Sequence, residues 1–238
     1  MLNIKKQLIT LGTLGDSGVG KTNISNIFFD IPFTEENIST IGVNNFVKRG
    51  FEIKPKLNPI KITIKLWDTA GQERFRSIST QYIKNCDGIF LVYAINNRES
   101  FDRIENWIKE VDEKKNSDNE VPLILIGNKC DIDDLQDIDN KFCREVSFNE
   151  GEKLAQRYGI KFFECSAKKN INVMESFQFL IDQIVQIHIK EFGNNTIDES
   201  DNSITFNNNN NGCCKRKNKK KENKKRSLTI RKTNLNNL

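Results

Sequence analysis

Apolar and polar residues alternate along this chain in two rhythms. Short apolar runs, rich in β-branched residues, recur at Leu8 to Leu14, Ile60 to Trp67, Gly88 to Ile95, Leu123 to Ile126 and Lys161 to Cys165. Each is the length of a strand, and four to eight consecutive apolar positions suit a strand buried on both faces. Between the runs lie segments with helical spacing or helix-start signals: one after Gly20, one around Phe101 to Val111, one from Phe148 to Tyr158 and one from Val173 to Ile189. Ser147 followed by Glu150 has the spacing of a capping box at the third. Val173, Phe177, Leu180, Ile181 and Ile184 form one face of the last, which predicts that this face packs on a sheet. Strand and helix patterns in alternation predict an α/β fold with a largely parallel sheet.

Both rhythms stop near residue 192. Beyond it come polar residues, five consecutive asparagines (Asn207 to Asn211) and a run of lysine and arginine. Too little apolar surface exists there to offset the entropy of ordering, so residues 193–238 are expected to be a disordered, Asn-rich and polybasic tail on a folded domain of residues 1–192. Charge divides at nearly the same place. The 238 residues hold 37 Lys and Arg against 32 Asp and Glu, net +5. Cys213 to Leu238 alone hold eleven basic residues and one acid, so the tail carries +10 and the rest of the chain −5. A protein that reads DNA spreads basic residues over its folded surface, so no DNA partner is expected. No apolar run approaches the roughly 20 residues that span a bilayer, and the N-terminal residues do not resemble a signal peptide. Six cysteines without zinc-ligand spacing read as reduced thiols of a cytoplasmic protein. The single histidine, His188, falls on the last helical segment, which leaves little room for chemistry built on a histidine base.

Gly15-Asp16-Ser17-Gly18-Val19-Gly20-Lys21-Thr22 fits the phosphate-loop pattern G-x-x-x-x-G-K-[ST], after a strand pattern and before a helix pattern. Its glycines let successive backbone N–H groups turn toward phosphate oxygens at a helix N-terminus. Lys21 is placed to reach the outer phosphates and the Thr22 hydroxyl to hold Mg²⁺. Farther on, Ile62 to Leu66 lead into Trp67-Asp68-Thr69-Ala70-Gly71-Gln72-Glu73. A carboxylate at a strand end, Asp68, can reach Mg²⁺ beside the phosphate loop. The N–H of Gly71 can approach a terminal phosphate, and Gln72 has a donor and an acceptor with which to orient a water. Such chemistry is positioning rather than base catalysis, and it suits the loose transition state of phosphoryl transfer. Thr40, 19 positions beyond Lys21 on a polar connecting segment, could add a hydroxyl to the metal and an N–H to the γ-phosphate, which would make its loop a switch.

Leu123 to Gly127 end in Asn128-Lys129-Cys130-Asp131. Placed at the carboxyl end of a strand, the Asp131 carboxylate can accept two hydrogen bonds from the N1–H and exocyclic amine of guanine, a donor pair that adenine lacks. Cys165-Ser166-Ala167-Lys168 follows another strand, and its backbone N–H groups could meet the guanine carbonyl. The stems of Lys129 and Lys168 could cover the base faces.

Taken in order, these motifs resemble those of the Ras-superfamily small GTPases, and most closely the Rab family. The resemblance covers about Leu8 to Ile189 and rests on Gly15 to Thr22, Thr40 to Val43, Trp67 to Phe75, Asn128 to Asp131 and Cys165 to Lys168; Lys65 to Phe75, Ile41-Gly42-Val43 and Leu91-Val92-Tyr93 point to Rab. It implies a P-loop NTPase-type small G domain with a mostly parallel six-stranded sheet and helices on both faces. It also implies that Lys21, Thr22, Thr40 and Asp68 serve phosphate and Mg²⁺, that Gln72 serves GTP hydrolysis, and that Asn128, Lys129, Asp131, Ser166, Ala167 and Lys168 serve guanine. Phe33, 12 positions after Lys21, matches the aromatic beside the nucleotide. The activity implied is a slow GTP hydrolase acting as a GTP/GDP switch in vesicle traffic, a monomer that meets effectors, an exchange factor and a GAP.

Departures from the family pattern carry their own expectations. Gly12 and Thr13 stand where the first strand is usually apolar, which should weaken it. Asn44-Asn45 stand in place of an acidic residue with one residue inserted, which predicts a bulge or a flipped face there. Lys54 to Pro59 lengthen a hairpin, Ile132 to Arg144 lengthen the loop after Asp131, Gln81 to Gly88 keep little of the pattern except Tyr82, and Ala94 replaces an aspartate. Cys213 and Cys214, the lipidation candidates, are followed by 24 residues rather than standing at the chain's end. The tail therefore reads as reversible palmitoylation beside a polybasic patch, electrostatic docking to anionic lipid, or a nuclear or nucleic-acid address. Membrane association on the cytosolic face of an intracellular membrane is the leading expectation, and a GTPase working in the nucleus or on RNA is the alternative.

Overall fold

The computed structural model describes residues 7–35, 40, 42–53, 60–69, 82, 84–114, 121–134 and 143–195. By its internal contacts the chain divides into Met1–Asp198 and Glu199–Leu238, and the second unit lies outside the described residues. Six strands form one sheet: β1 (Leu8–Leu14), β2 (Val43–Ile53), β3 (Ile60–Thr69), β4 (Gly88–Ala94), β5 (Leu123–Asn128) and β6 (Lys161–Cys165). Their order is β2-β3-β1-β4-β5-β6, parallel throughout except for the edge strand β2, which runs antiparallel to β3. Five strands coincide with the apolar runs. β3 and β5 continue two residues past theirs, because ladder hydrogen bonding persists where burial of apolar side chains stops. The sixth, β2, has no apolar run of its own: an edge strand that is half exposed needs none.

Among the described residues, α-helices cover both faces: α1 (Lys21–Phe28), α2 (Arg98–Asp102), α3 (Ile104–Lys114), α4 (Phe148–Tyr158) and α5 (Val173–Asn195). β4 is buried at all seven positions, and its side chains alternate between two cores. Phe90, Val92 and Ala94 join α1 and α5; Ile89, Leu91 and Tyr93 join α3 and α4. In the first core the Phe177 ring of α5 stacks on Phe28 of α1 at 3.9 Å and meets Phe90 at 4.4 Å. Val173, Phe177, Leu180, Ile181 and Ile184 are all buried there, as their spacing predicts. The capping box forms as well, with Ser147 Oγ accepting from Glu150 N and the Glu150 carboxylate accepting from Ser147 N.

Three expectations are corrected. The helix expected over Phe101 to Val111 is two helices that begin earlier, because the Asn97 side chain accepts from Ser100 N and starts a helix at Arg98, and Arg103 interrupts it. The last helix passes Ile189 and reaches Asn195, since Lys190 and Glu191 favour helix and no proline intervenes. The bulge is real but sits elsewhere. Asn44 and Asn45 pair regularly with Asp68 and Trp67, and the register shifts between Lys48 and Phe51 instead. Gly50, at φ +70°, supplies the left-handed residue that a bulge of this kind needs. Phe46 and Phe51 are an odd number of residues apart and would face opposite sides of an unbroken strand. One extra residue between them returns Phe51 and Ile53 to the core side that Phe46 packs on.

Candidate functional site

β1 is followed through α1 by strands on one side of it, and β4 opens the other side, so the strand order reverses at β1. A crevice at such a point, outside the carboxyl ends of the strands, is where open α/β sheets place ligands. The turns after β1, β5 and β6 and the last residues of β3 lie at those ends, and they carry the described motifs.

The turn Gly15 to Gly20 leads directly into α1. Gly20 is the N-cap at φ +95°, with no side-chain cap hydrogen bond, and the first turn holds no acid. The backbone N–H groups there are left to an outside acceptor, the arrangement that favours an anion. A Cβ on Gly20 would lie 2.2 Å from Asn128 Nδ2, so only glycine lets the turn approach β5 this closely. Lys21 is 5% exposed, and its ammonium donates to the carbonyls of Gly15 at 2.9 Å and Asp16 at 2.7 Å. Burial pushes its pKa down to about 8, against the opposing pull of the Asp68 and Asp16 carboxylates. Ser17 and Gly18 are exposed at the rim, whereas Val19 belongs to the core.

Thr22, Thr40 and Asp68 converge beside this turn. Thr22 Oγ1 donates to Asp68 Oδ2 at 2.6 Å and lies 2.7 Å from Thr40 Oγ1. With its own proton on Asp68, Thr22 accepts from Thr40. Asp68 is fully buried, and burial pushes its carboxyl pKa up, opposed by the Thr22 hydrogen bond, the Lys21 charge and Thr13. Two hydroxyls and one carboxylate are hard oxygen donors of the kind Mg²⁺ takes, usually with phosphate oxygens and water completing its shell. The residues present fit that ion.

On the other side, Asn128 is buried at the end of β5 and bridges two loops. Its Nδ2 donates to Val19 O at 2.8 Å, and its Oδ1 accepts from Ala167 N at 3.3 Å. Lys129 follows at φ +71°, with burial lowering its ammonium pKa against the Asp131 charge. Asp131 accepts from Ser166 Oγ at 2.6 Å through Oδ1, and Ser166 Oγ also accepts from Lys169 N at 3.0 Å. Lys168 reaches across to Glu35 at 3.0 Å, near Phe33, which packs half-buried on the edge of the first core. The structure thus brings together Gly15 to Thr22, Thr40, Asp68, Asn128, Lys129, Asp131, Ser166, Ala167 and Lys168, while Phe33 is placed only by its packing on the first core. Gly71, Gln72, Cys213 and Cys214 lie outside the described residues.

The contacts of two side chains at the site have no local signal in the sequence or only a faint one. The Asp16 side chain points away from the loop: Arg103 Nη1 donates to its Oδ2 at 2.9 Å and Trp107 Nε1 to its Oδ1 at 3.1 Å. Those partners are 87 and 91 residues distant, and no local pattern marks them. Thr13, expected only to weaken β1, is buried and donates to Asp68 Oδ1 at 3.2 Å, while its carbonyl accepts from Thr69 Oγ1 at 2.7 Å. A polar residue in an apolar strand was the signal for it.

Comparison with known proteins identifies the family. Residues 10–186 match the Ras family model. The chain is 44% identical over 193 residues to Ras-related protein Rab-8 of Diplobatis ommata, covering 81% of this chain and 85% of that one. To Ras-related proteins Rab-8A and Rab-8B of Bos taurus it is 46% and 47% identical over 177 and 178 residues, covering 74% and 75% of this chain and 78% and 79% of theirs. This chain belongs to the Ras family and, within it, to the Rab-type small GTPases, GTP hydrolases that serve as GTP/GDP switches in vesicle traffic.

Proposed function

We propose that the nucleotide lies along the carboxyl ends of β1, β3, β5 and β6. The Gly15 to Gly20 turn and Lys21 take its phosphates; Asn128, Lys129, Asp131, Ser166, Ala167 and Lys168 take guanine, with Phe33 beside it. Thr22, Thr40 and Asp68 would hold Mg²⁺, which would supply positive charge against the nucleotide's phosphates. What carries this reading is the cluster of Thr22, Thr40 and Asp68 oxygens next to a buried lysine. Among the described residues Thr40 meets the cluster through its hydroxyl contact with Thr22, a contact whose persistence would depend on whether a γ-phosphate is present. That response is the switch that effectors read, that an exchange factor resets and that a GAP ends. Gln72 orients the attacking water.

The G domain runs through α5, past the expected end at residue 192, and the chain beyond α5 to residue 238 is a tail that docks on the cytosolic face of an intracellular membrane. Supporting this are the nine Lys and Arg between Lys215 and Arg226, each worth about 1 kcal/mol near an anionic leaflet. Removing residues 213–238 should abolish sedimentation with phosphatidylserine vesicles.

Single-turnover hydrolysis by the full chain tests the site. GTP should turn over slowly, on the order of 10⁻⁴ to 10⁻³ s⁻¹ without a GAP. Gln72→Leu should slow it further while GTP affinity stays unchanged. Equal turnover in the variant would remove Gln72 from the reaction, and failure of the wild type to bind GTP or GDP would overturn the reading.

A further inference from the structure

Thr13 is fully buried on β1, between Leu11 and Leu14 in a strand otherwise built of apolar residues and glycine at its buried positions. In the parallel ladder Thr13 is the in-register partner of Asp68 on β3. In-register residues of neighbouring parallel strands point to the same face, about 5 Å apart, so the two side chains meet whatever their rotamers elsewhere would allow. Thr13 Oγ1 donates to Asp68 Oδ1 at 3.2 Å, the nearer of its two acceptors, the Trp67 carbonyl lying at 3.5 Å, and Thr22 Oγ1 donates to Oδ2 at 2.6 Å. Each carboxylate oxygen therefore has its own donor, one from β1 and one from α1, and rotation of the carboxylate about its last bond is fixed. Thr69 Oγ1 donates back to the Thr13 carbonyl at 2.7 Å and holds the Thr13 backbone against the end of β3.

We propose that Thr13 is a positioning residue for the Mg²⁺ site, orienting the Asp68 carboxylate so that Thr22 and Thr40 present their oxygens to the ion. This rests on the assignment of Asp68, Thr22 and Thr40 to Mg²⁺. Thr13 itself faces the carboxylate from the sheet interior and is not among the residues assigned to metal or nucleotide. Groups that hydrogen-bond a metal's ligands set its affinity by orienting them, and removing one typically costs 10- to 100-fold. A valine in place of Thr13 would keep the branched shape and the strand preference and delete only the donor. Asp68 Oδ1 would then be a buried acceptor without that partner, and the carboxylate would be held at a single oxygen.

Release of a fluorescent GDP analogue from the full chain, followed as free Mg²⁺ is varied, tests this. Thr13→Val should raise the Mg²⁺ concentration that half-suppresses release by about tenfold, with the rate in excess EDTA unchanged. Thr13→Ser, which retains the hydroxyl, should titrate like the wild type. Thr13→Ala deletes the same donor and should show the same shift if the valine variant accumulates poorly. A Mg²⁺ titration of Thr13→Val superimposable on the wild type would overturn the proposal. So would an EDTA rate raised by the same factor as the rate in Mg²⁺, which would mean a packing role. Wild-type release insensitive to Mg²⁺ would instead defeat the metal-site assignment, and the role of Thr13 with it.

Discussion

The phosphate side and the base side of the site solve the same problem, holding polar groups at strand ends, in opposite ways. On the base side the buried groups are neutral: Asn128 spends its amide on Val19 and Ala167, and Ser166 is spent on Asp131 and Lys169. Its charged groups are only half-buried, Lys129 and Asp131, or exposed, Lys168 and Glu35. On the phosphate side a lysine and an aspartate are buried with hydroxyls and carbonyls for partners, and burial opposes the charge of both. Depression of Lys21 from 10.5 to about 8 corresponds to roughly 3 kcal/mol against the charged form. The base side is therefore set by the fold alone. The phosphate side holds an ammonium that a bound triphosphate would favour and a carboxylate that Mg²⁺ would favour, so its arrangement is coupled to the ligand. Asn128 joins the two, since it reaches the phosphate loop from the base side.

This contrast makes predictions of decreasing size. Asp131→Asn strikes the base side: affinity for GDP should fall by about 10³-fold or more, and xanthine nucleotide, which offers an acceptor where guanine has an amine, should gain. Competition binding measures both. Unchanged GDP affinity would reduce Asp131 to a clasp for Ser166. The Lys21 ammonium strikes the phosphate side. In nucleotide-free protein its NMR-detected titration should centre near pH 8, and nucleotide phosphates should move it upward. The sign for folding follows: the penalty is fully present below pH 8, and stability from this group rises as pH climbs from 8 toward 10.5, where the unfolded chain still binds the proton. A midpoint near 10.5 would erase the difference between the two sides. Smallest of all is Glu35→Gln. Its ion pair with Lys168 is exposed, so thermal unfolding should show less than about 1 kcal/mol of change, with GDP affinity intact.

Many features could be read from residue types at short spacing. The phosphate loop, the capping box at Ser147, the apolar face of α5 and five of the six strands each occupy a few consecutive turns or pleats, and local sterics and hydrogen bonding decide them. The site motifs were legible for the same reason, since each brings its chemistry within eight residues. Gly50 shows where that reading ends. An extra residue in β2 was evident, but its position was decided by which residues the core accepts, and the core needs Phe46, Phe51 and Ile53 on one side. Asp16 with Arg103, Asn128 with Val19 and Ala167, and Thr13 with Asp68 depend on which strands are neighbours and in what register. Those are properties of the assembled sheet. A hydrogen bond between residues 55 or 109 positions apart leaves no periodic trace along the chain, because neither partner's local conformation requires the other.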